Sequence, residues 1–217
     1  MSADIFVYLD TVQFSKNGLQ NRNQIKTSQG PAWLSVPVRH QFGQAIRETL
    51  IADQKATRKH LKTLAANYTH TPGFVRWSDE LRTLLETEHK SMGDLAISST
   101  DWLLNKLGAT TESVRASELI GPEGKASQLV ASICGTLKAD CYLTGTGALS
   151  YMDESDFTKI GCEILVQQWQ PFEYEQAFKN VGFVPNLSTL DLVLNEPDNA
   201  SQLIRAAGSW RALSNSA

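Results

Sequence analysis

A chain of 217 residues with 41% hydrophobic and 20% charged residues and a formal net charge of −3 carries enough apolar material for a buried core, which sets aside disulfide-stapled mini-folds and disordered polymers. No run approaches the roughly 18 apolar residues of a membrane span, and the start, Met1-Ser2-Ala3-Asp4, lacks a signal-peptide pattern, so a cytoplasmic protein is expected. Cys134, Cys141 and Cys162 form no C-x-x-C pair, which reads as reduced thiols and argues against a structural zinc site.

Taken along the chain, residues 5–10 are a short apolar run ending in a carboxylate, which suits a buried strand that delivers Asp10 to a sheet edge. The run that follows, residues 13–26, is polar and reads as a loop. Residues 33–38 read as a second strand, with Pro37 confining it to an edge or an end, and residues 46–52 as a third. From 56 to 68 apolar positions recur at helical spacing, and Thr71-Pro72-Gly73 ends the pattern. Residues 74–88 and 91–107 predict two more helices, the second closed by Gly108 as a C-cap. The order then becomes strand 113–116, helix 126–138, strand 141–144, helix 153–160 and strand 163–168, the alternation of parallel strands with crossover helices. Ser188 is placed to cap a last helix. The fold expected is a single α/β layered domain with a mainly parallel sheet and several helices. A strand beginning so early, with nothing before it to start a doubly wound sheet, predicts a chain shortened at its N-terminus.

Charge is unevenly spread. Between Gln13 and His70 there are nine Lys or Arg against two acids, whereas from Thr71 onward eleven bases face nineteen acids. A basic stretch on an acidic body marks an anion-facing surface. Its densest part, Gln13 to Lys26, combines the cations Lys16, Arg22 and Lys26 with the amides of Gln13, Asn21 and Asn23, a donor set suited to phosphate or carboxylate. The same Asn and Gly residues would also build an ordinary solvated hairpin. Beside two cations, Arg58 and Lys59, a histidine stays neutral and able to accept a proton, which makes His60 the candidate base. Asp10 is the one acid expected near the chemistry.

Gly145 opens a Gly-x-Gly turn after a strand, where backbone N–H groups can meet an anion, although the motif lacks a third glycine or a Walker lysine. Asn186, Ser188 and Asp191, at the start of the last helix, are further anion-binding candidates; Ser188 and Asp191 would equally serve as a cap and a dipole partner. These groups are expected to meet at one sheet edge, with Arg22, Lys26 and His60 bordering a cleft and Asp10 nearby. No cofactor or metal is indicated. The aromatics near the cations, Phe14, Trp33 and Phe42, read as core rather than stacking platforms, and the acidic body would repel a long polyanion, so nucleic acid is not the expected partner.

The blocks Phe6-Val-Tyr-Leu-Asp-Thr-Val-Gln-Phe-Ser-Lys16, Gln20-Asn-Arg-Asn-Gln-Ile-Lys-Thr27 and Trp33-Leu-Ser-Val-Pro-Val38 resemble the WbqC-like family of bacteria. So do Arg58-Lys-His-Leu-Lys-Thr-Leu64, Cys141-Tyr-Leu-Thr-Gly145 with Tyr151-Met-Asp153, and Pro185-Asn-Leu-Ser-Thr-Leu-Asp-Leu-Val-Leu-Asn195. What the resemblance implies is a setting among genes for O-antigen and other surface-polysaccharide synthesis. It also implies an opening strand, Pro-containing turn and helix ahead of Phe6, like the start of nucleotidyltransferase-type folds, which this sequence lacks. The expected activity is therefore a transferase acting on a nucleotide- or phosphate-activated substrate. The alternative is a non-catalytic protein of a glycan pathway that binds a sugar nucleotide or a partner.

Overall fold

In the computed structural model, which describes residues 2–213, the elements run β1 (Ile5–Tyr8), β2 (Arg22–Thr27), β3 (Gly30–Ser35), β4 (Val38–Arg39), β5 (Leu50–Ile51), α1 (Lys55–Tyr68), α2 (Pro72–Glu86) and α3 (Met92–Lys106). They continue as β6 (Glu112–Arg115), α4 (Ser127–Leu137), β7 (Cys141–Thr144), α5 (Glu154–Thr158), β8 (Glu163–Trp169), α6 (Thr189–Asn195), α7 (Ala200–Ala207) and β9 (Gly208–Ala212). The fold is mixed α/β, with seven α-helices among the described residues. These residues fall into two compact units. One holds residues 2–9, 111–172 and 203–213, the other residues 10–110 and 173–202.

In the first unit β1 pairs with β6 and β7 with β8, both in parallel, and β9 adds to β8 in the antiparallel sense. β7 and β8 are joined through α5, a crossover helix that returns the chain to the same end and makes the pair parallel, whereas β1 and β6 come together from far apart in the chain. Ala131, Cys134, Phe157, Cys162, Ile164 and Val166 form the core here, and burial pushes the Cys134 thiol up to about 12, so it stays protonated.

The second unit differs more from the sequence reading. The polar run 13–26 is not all loop: its last part is β2, paired antiparallel with β3 so that Arg22 faces Ser35 and Gln24 faces Trp33. The turn between them needs Gly30, whose φ is +99°, and Thr27 closes it by donating its hydroxyl to the Gly30 carbonyl at 2.8 Å. Residues 46–52, read as one strand, split into a 3₁₀ turn at Ile46–Glu48 and the two-residue β5. Helix α3 starts where Ser91 accepts from the Asp94 N–H and the Asp94 carboxylate accepts from the Ser91 N–H, a reciprocal cap.

Ile25, Leu64, Tyr68, Phe74, Leu81 and Leu194 form the main core of this unit, which packs β2, α1, α2 and α6 together. Helix α2 reaches α6 through Gly73, where a Cβ would sit 2.5 Å from the Val193 carbonyl oxygen and 2.7 Å from Leu194 Cα. Both obstacles are backbone and cannot swing away. Gly73→Ala is therefore expected to lower stability by about 1–3 kcal/mol despite alanine's better helix propensity. Equilibrium urea unfolding measures the change, and an unchanged or raised midpoint would show that the helices can separate at no cost.

Candidate functional site

The β2–β3 hairpin and the first turns of α1 enclose an open cavity of about 690 Å³ within the second unit. Its wall carries Lys16, Arg22, Lys59 and His60, together with Asn17, Trp33, Ser35, His40 and Thr63. Among the described residues Asp53 is the one acid on the wall, and it lies 3.8 Å from Lys59 in an exposed ion pair.

Arg22 is the most constrained of these cations. Its guanidinium carbon lies 4.5 Å from the centroid of Trp33, one step diagonally across the hairpin, in cation–π geometry. One terminal nitrogen, Nη2, donates to the Asn17 carbonyl, whereas the buried Nε–H has no acceptor. A buried charged donor without a partner is costly and rare in folded proteins. This guanidinium is held flat, charged and short of an acceptor.

His60 stands on α1 with Nε2 3.0 Å from the Ser35 carbonyl. A carbonyl only accepts, so Nε2 carries the proton, and in the neutral ring Nδ1 is the acceptor. Burial holds the imidazole below its usual 6.5 more strongly than the Ser35 contact raises it. Because the folded value is depressed, the unfolded chain takes up the proton first as the pH falls through 6.5, and this group removes stability below that point and none above it. An NMR titration should find His60 as the Nε2–H tautomer with a midpoint below 6.5. A protonated ring at pH 7 would contradict the assignment.

The remaining residues singled out in the sequence are placed as follows. Lys16 is exposed on the cavity wall, while Gln13 is exposed and bridges through its backbone to Ala45. Asn21 ties β2 to the chain after β3, donating Nδ2 to the Val36 carbonyl and accepting the Val36 N–H on its own carbonyl, both at 2.8 Å. Asn23 accepts the Gln24 N–H at 2.8 Å, and Arg58 is exposed on α1 away from the cavity wall. Asp10 is buried two residues after β1; its carbonyl accepts the Arg47 N–H at 3.0 Å, and it does not line the cavity. Gly145 belongs to the first unit and precedes a 3₁₀ turn with an ordinary φ of −85°. Asn186 has a φ of +58°, and Ser188 caps α6 by accepting the Leu190 N–H at 3.3 Å.

Lys26 and Asp191 do come together, but beneath the surface. Lys26 is 1% exposed and Asp191 0%. Tyr68 and Tyr174 donate their hydroxyls to the two oxygens of the Asp191 carboxylate, the latter at 2.8 Å. Tyr68 also accepts the Lys26 N–H at 2.9 Å, and Lys26 Nζ donates to the Gly182 carbonyl at 2.6 Å. Burial raises the Asp191 carboxyl, against the pull of both tyrosines and of Lys26, and lowers the Lys26 ammonium. The group is a buried polar network joining β2, α1 and α6.

Sequence reasoning missed Trp33 and Lys59 as members of the cavity wall. A polar run of alternating pattern followed by Thr-Ser-Gln-Gly and a second run is a hairpin signal, and pairing it would have set Trp33 against Gln24 and next to Arg22. Among the described residues no three His, Cys, Asp or Glu side chains gather as a metal ion would require, and no helix is long and apolar enough to cross a membrane.

Comparison with known proteins adds the following. A family model described as the WbqC-like protein family matches residues 1–203. A protein of Mycobacterium tuberculosis (strain ATCC 25618 / H37Rv), described as uncharacterized protein Rv1507c, is 32% identical over 207 residues, covering 93% of this chain and 88% of its own length. No solved structure matches.

Proposed function

This chain belongs to the WbqC-like protein family, and on that premise we propose that its basic cavity binds a nucleotide- or phosphate-activated substrate and that the protein is a cytoplasmic transferase of O-antigen or other surface-polysaccharide biosynthesis. The O-antigen setting and the likeness to nucleotidyltransferase-type layered folds come from the family resemblance. The observation that carries the chemistry is Arg22, stacked on Trp33 with an unsatisfied Nε–H in a wall shared with Lys16 and Lys59. A phosphate offers the acceptors this guanidinium lacks. Trp33 is 46% exposed and offers ring surface to a base or sugar.

In this reading the acceptor's hydroxyl or amine attacks the activated carbon of the substrate. The bond from that carbon to the phosphate oxygen breaks, and its electron pair leaves with the phosphate. Lys16, Arg22 and Lys59 hold the anion as it departs, and Nδ1 of His60 takes the proton from the nucleophile. Lys26 and Asp191 serve the buried network instead of the ligand.

A second reading, ligand binding without turnover, is favoured by one observation: the only carboxylate that the described residues place on the cavity wall, Asp53, is engaged with Lys59. Incubation with a panel of nucleotide sugars and acceptor amines, followed by mass spectrometry, separates the two. Consumption of a donor with release of its nucleotide supports the transferase; a donor that is retained but recovered intact supports the binding protein.

A further inference from the structure

The basic cavity has an apolar neighbour in the same unit. A second cavity of about 270 Å³ has an aliphatic side built by side chains of α1, α2 and α3, among them Leu64, Leu84, Leu85, Leu95 and Leu103, while Gln20, Asn23, Thr57 and Ser188 stand elsewhere on its wall. The hydroxyls on its α3 wall are already used: Ser99 and Thr100 both donate to the Ala96 carbonyl, at 3.0 and 2.8 Å. Five residues, Asn21, Arg22, Leu34, Val36 and His60, border both cavities. One continuous wall thus offers a cation and an imidazole on one side and methyl and methylene groups on the other.

We propose that the ligand of this unit is amphipathic, with a phosphate-bearing group at Arg22 and a short linear acyl or alkyl chain in the apolar cavity. The inference rests on the anion-binding reading above and narrows its activated substrate to the acyl class. Against the aliphatic side formed by α2 and α3 a sugar ring would leave hydroxyls unpaired, which an acyl chain does not. Each methylene taken from water into such a lining tightens binding by up to about fourfold.

Titration calorimetry of the full chain with inorganic phosphate, ethyl phosphate and hexyl phosphate tests this. Hexyl phosphate is expected to bind about tenfold or more tighter than ethyl phosphate. Ser99→Phe and Ala96→Phe, each filling the apolar cavity from α3, are expected to abolish that difference while leaving affinity for ethyl phosphate unchanged, which also shows that the variants are folded. Equal binding of the two alkyl phosphates, or a chain-length gain that survives both substitutions, overturns the proposal and leaves the anion site standing. Binding of no phosphate at all overturns the anion site and this proposal with it. Vesicles containing phosphatidate are expected not to retain the protein, because the cavity takes one short chain; retention would overturn the assignment to a soluble ligand.

Discussion

Asp191→Ala is expected to destabilise the protein by about 3–5 kcal/mol. The carboxylate is fully buried and receives hydroxyl donors from Tyr68 and Tyr174 on its two oxygens, with the buried Lys26 ammonium acting on it as counter-charge. Alanine removes all of these interactions at once, takes the acceptor from both tyrosine hydroxyls and leaves the buried Lys26 ammonium, still donating to the Gly182 carbonyl, without its counter-charge. Removing one member of a buried ionic group costs far more than replacing both members by apolar ones. Lys26→Met combined with Asp191→Leu should therefore be much less harmful than the sum of the two single changes. Urea unfolding of the wild type, both single variants and the double variant measures this coupling. A loss below about 1 kcal/mol for Asp191→Ala, or strict additivity, would show that the network does not hold β2 to α6.

Arg22→Ala is expected to weaken binding of a phosphate-bearing ligand by about 1.5–3 kcal/mol, or roughly ten- to a hundredfold. The guanidinium contributes charge, a planar fork and the Trp33 stack, and the two nearby lysines replace only the first of these. Arg22→Lys should accordingly recover a minor part of the loss. The effect should shrink as salt rises, since the cavity is open to solvent. Titration calorimetry with inorganic phosphate, compared in wild type and both variants at two salt concentrations, provides the check.

The parts of this fold that were legible in the sequence are those decided by local pattern. Apolar runs marked β1 and β7, although β1 is not the buried strand expected, since Ile5 and Phe6 are exposed; helical periodicity marked α1 to α3, and Ser188 announced the start of α6. What was hidden depends on partners far away in the chain. Lys26 looks like one more surface cation in a basic stretch until Asp191, 165 positions later, is packed against the same tyrosine. Arg22 and His60 both border the cavity as the charge pattern suggested, yet Trp33, read as core, turned out to be the surface on which Arg22 rests. A hairpin places residues two by two, and no count of charges along the chain can show which ring lies beneath which cation. Asp10 closes an apolar run as a strand-end acid would, but the chain turns after Tyr8, and the residue is buried off the cavity wall with its backbone carbonyl accepting the Arg47 N–H.

In the proposed function Arg22, and not the buried Lys26, anchors the anionic ligand. Titration calorimetry of ethyl phosphate into the wild type, Arg22→Ala and Lys26→Met separates the two. Saturable binding by the wild type, a loss of tenfold or more with Arg22→Ala, and retention of affinity by whatever fraction of Lys26→Met remains folded are expected. Equal binding by the wild type and Arg22→Ala would contradict the assignment to Arg22.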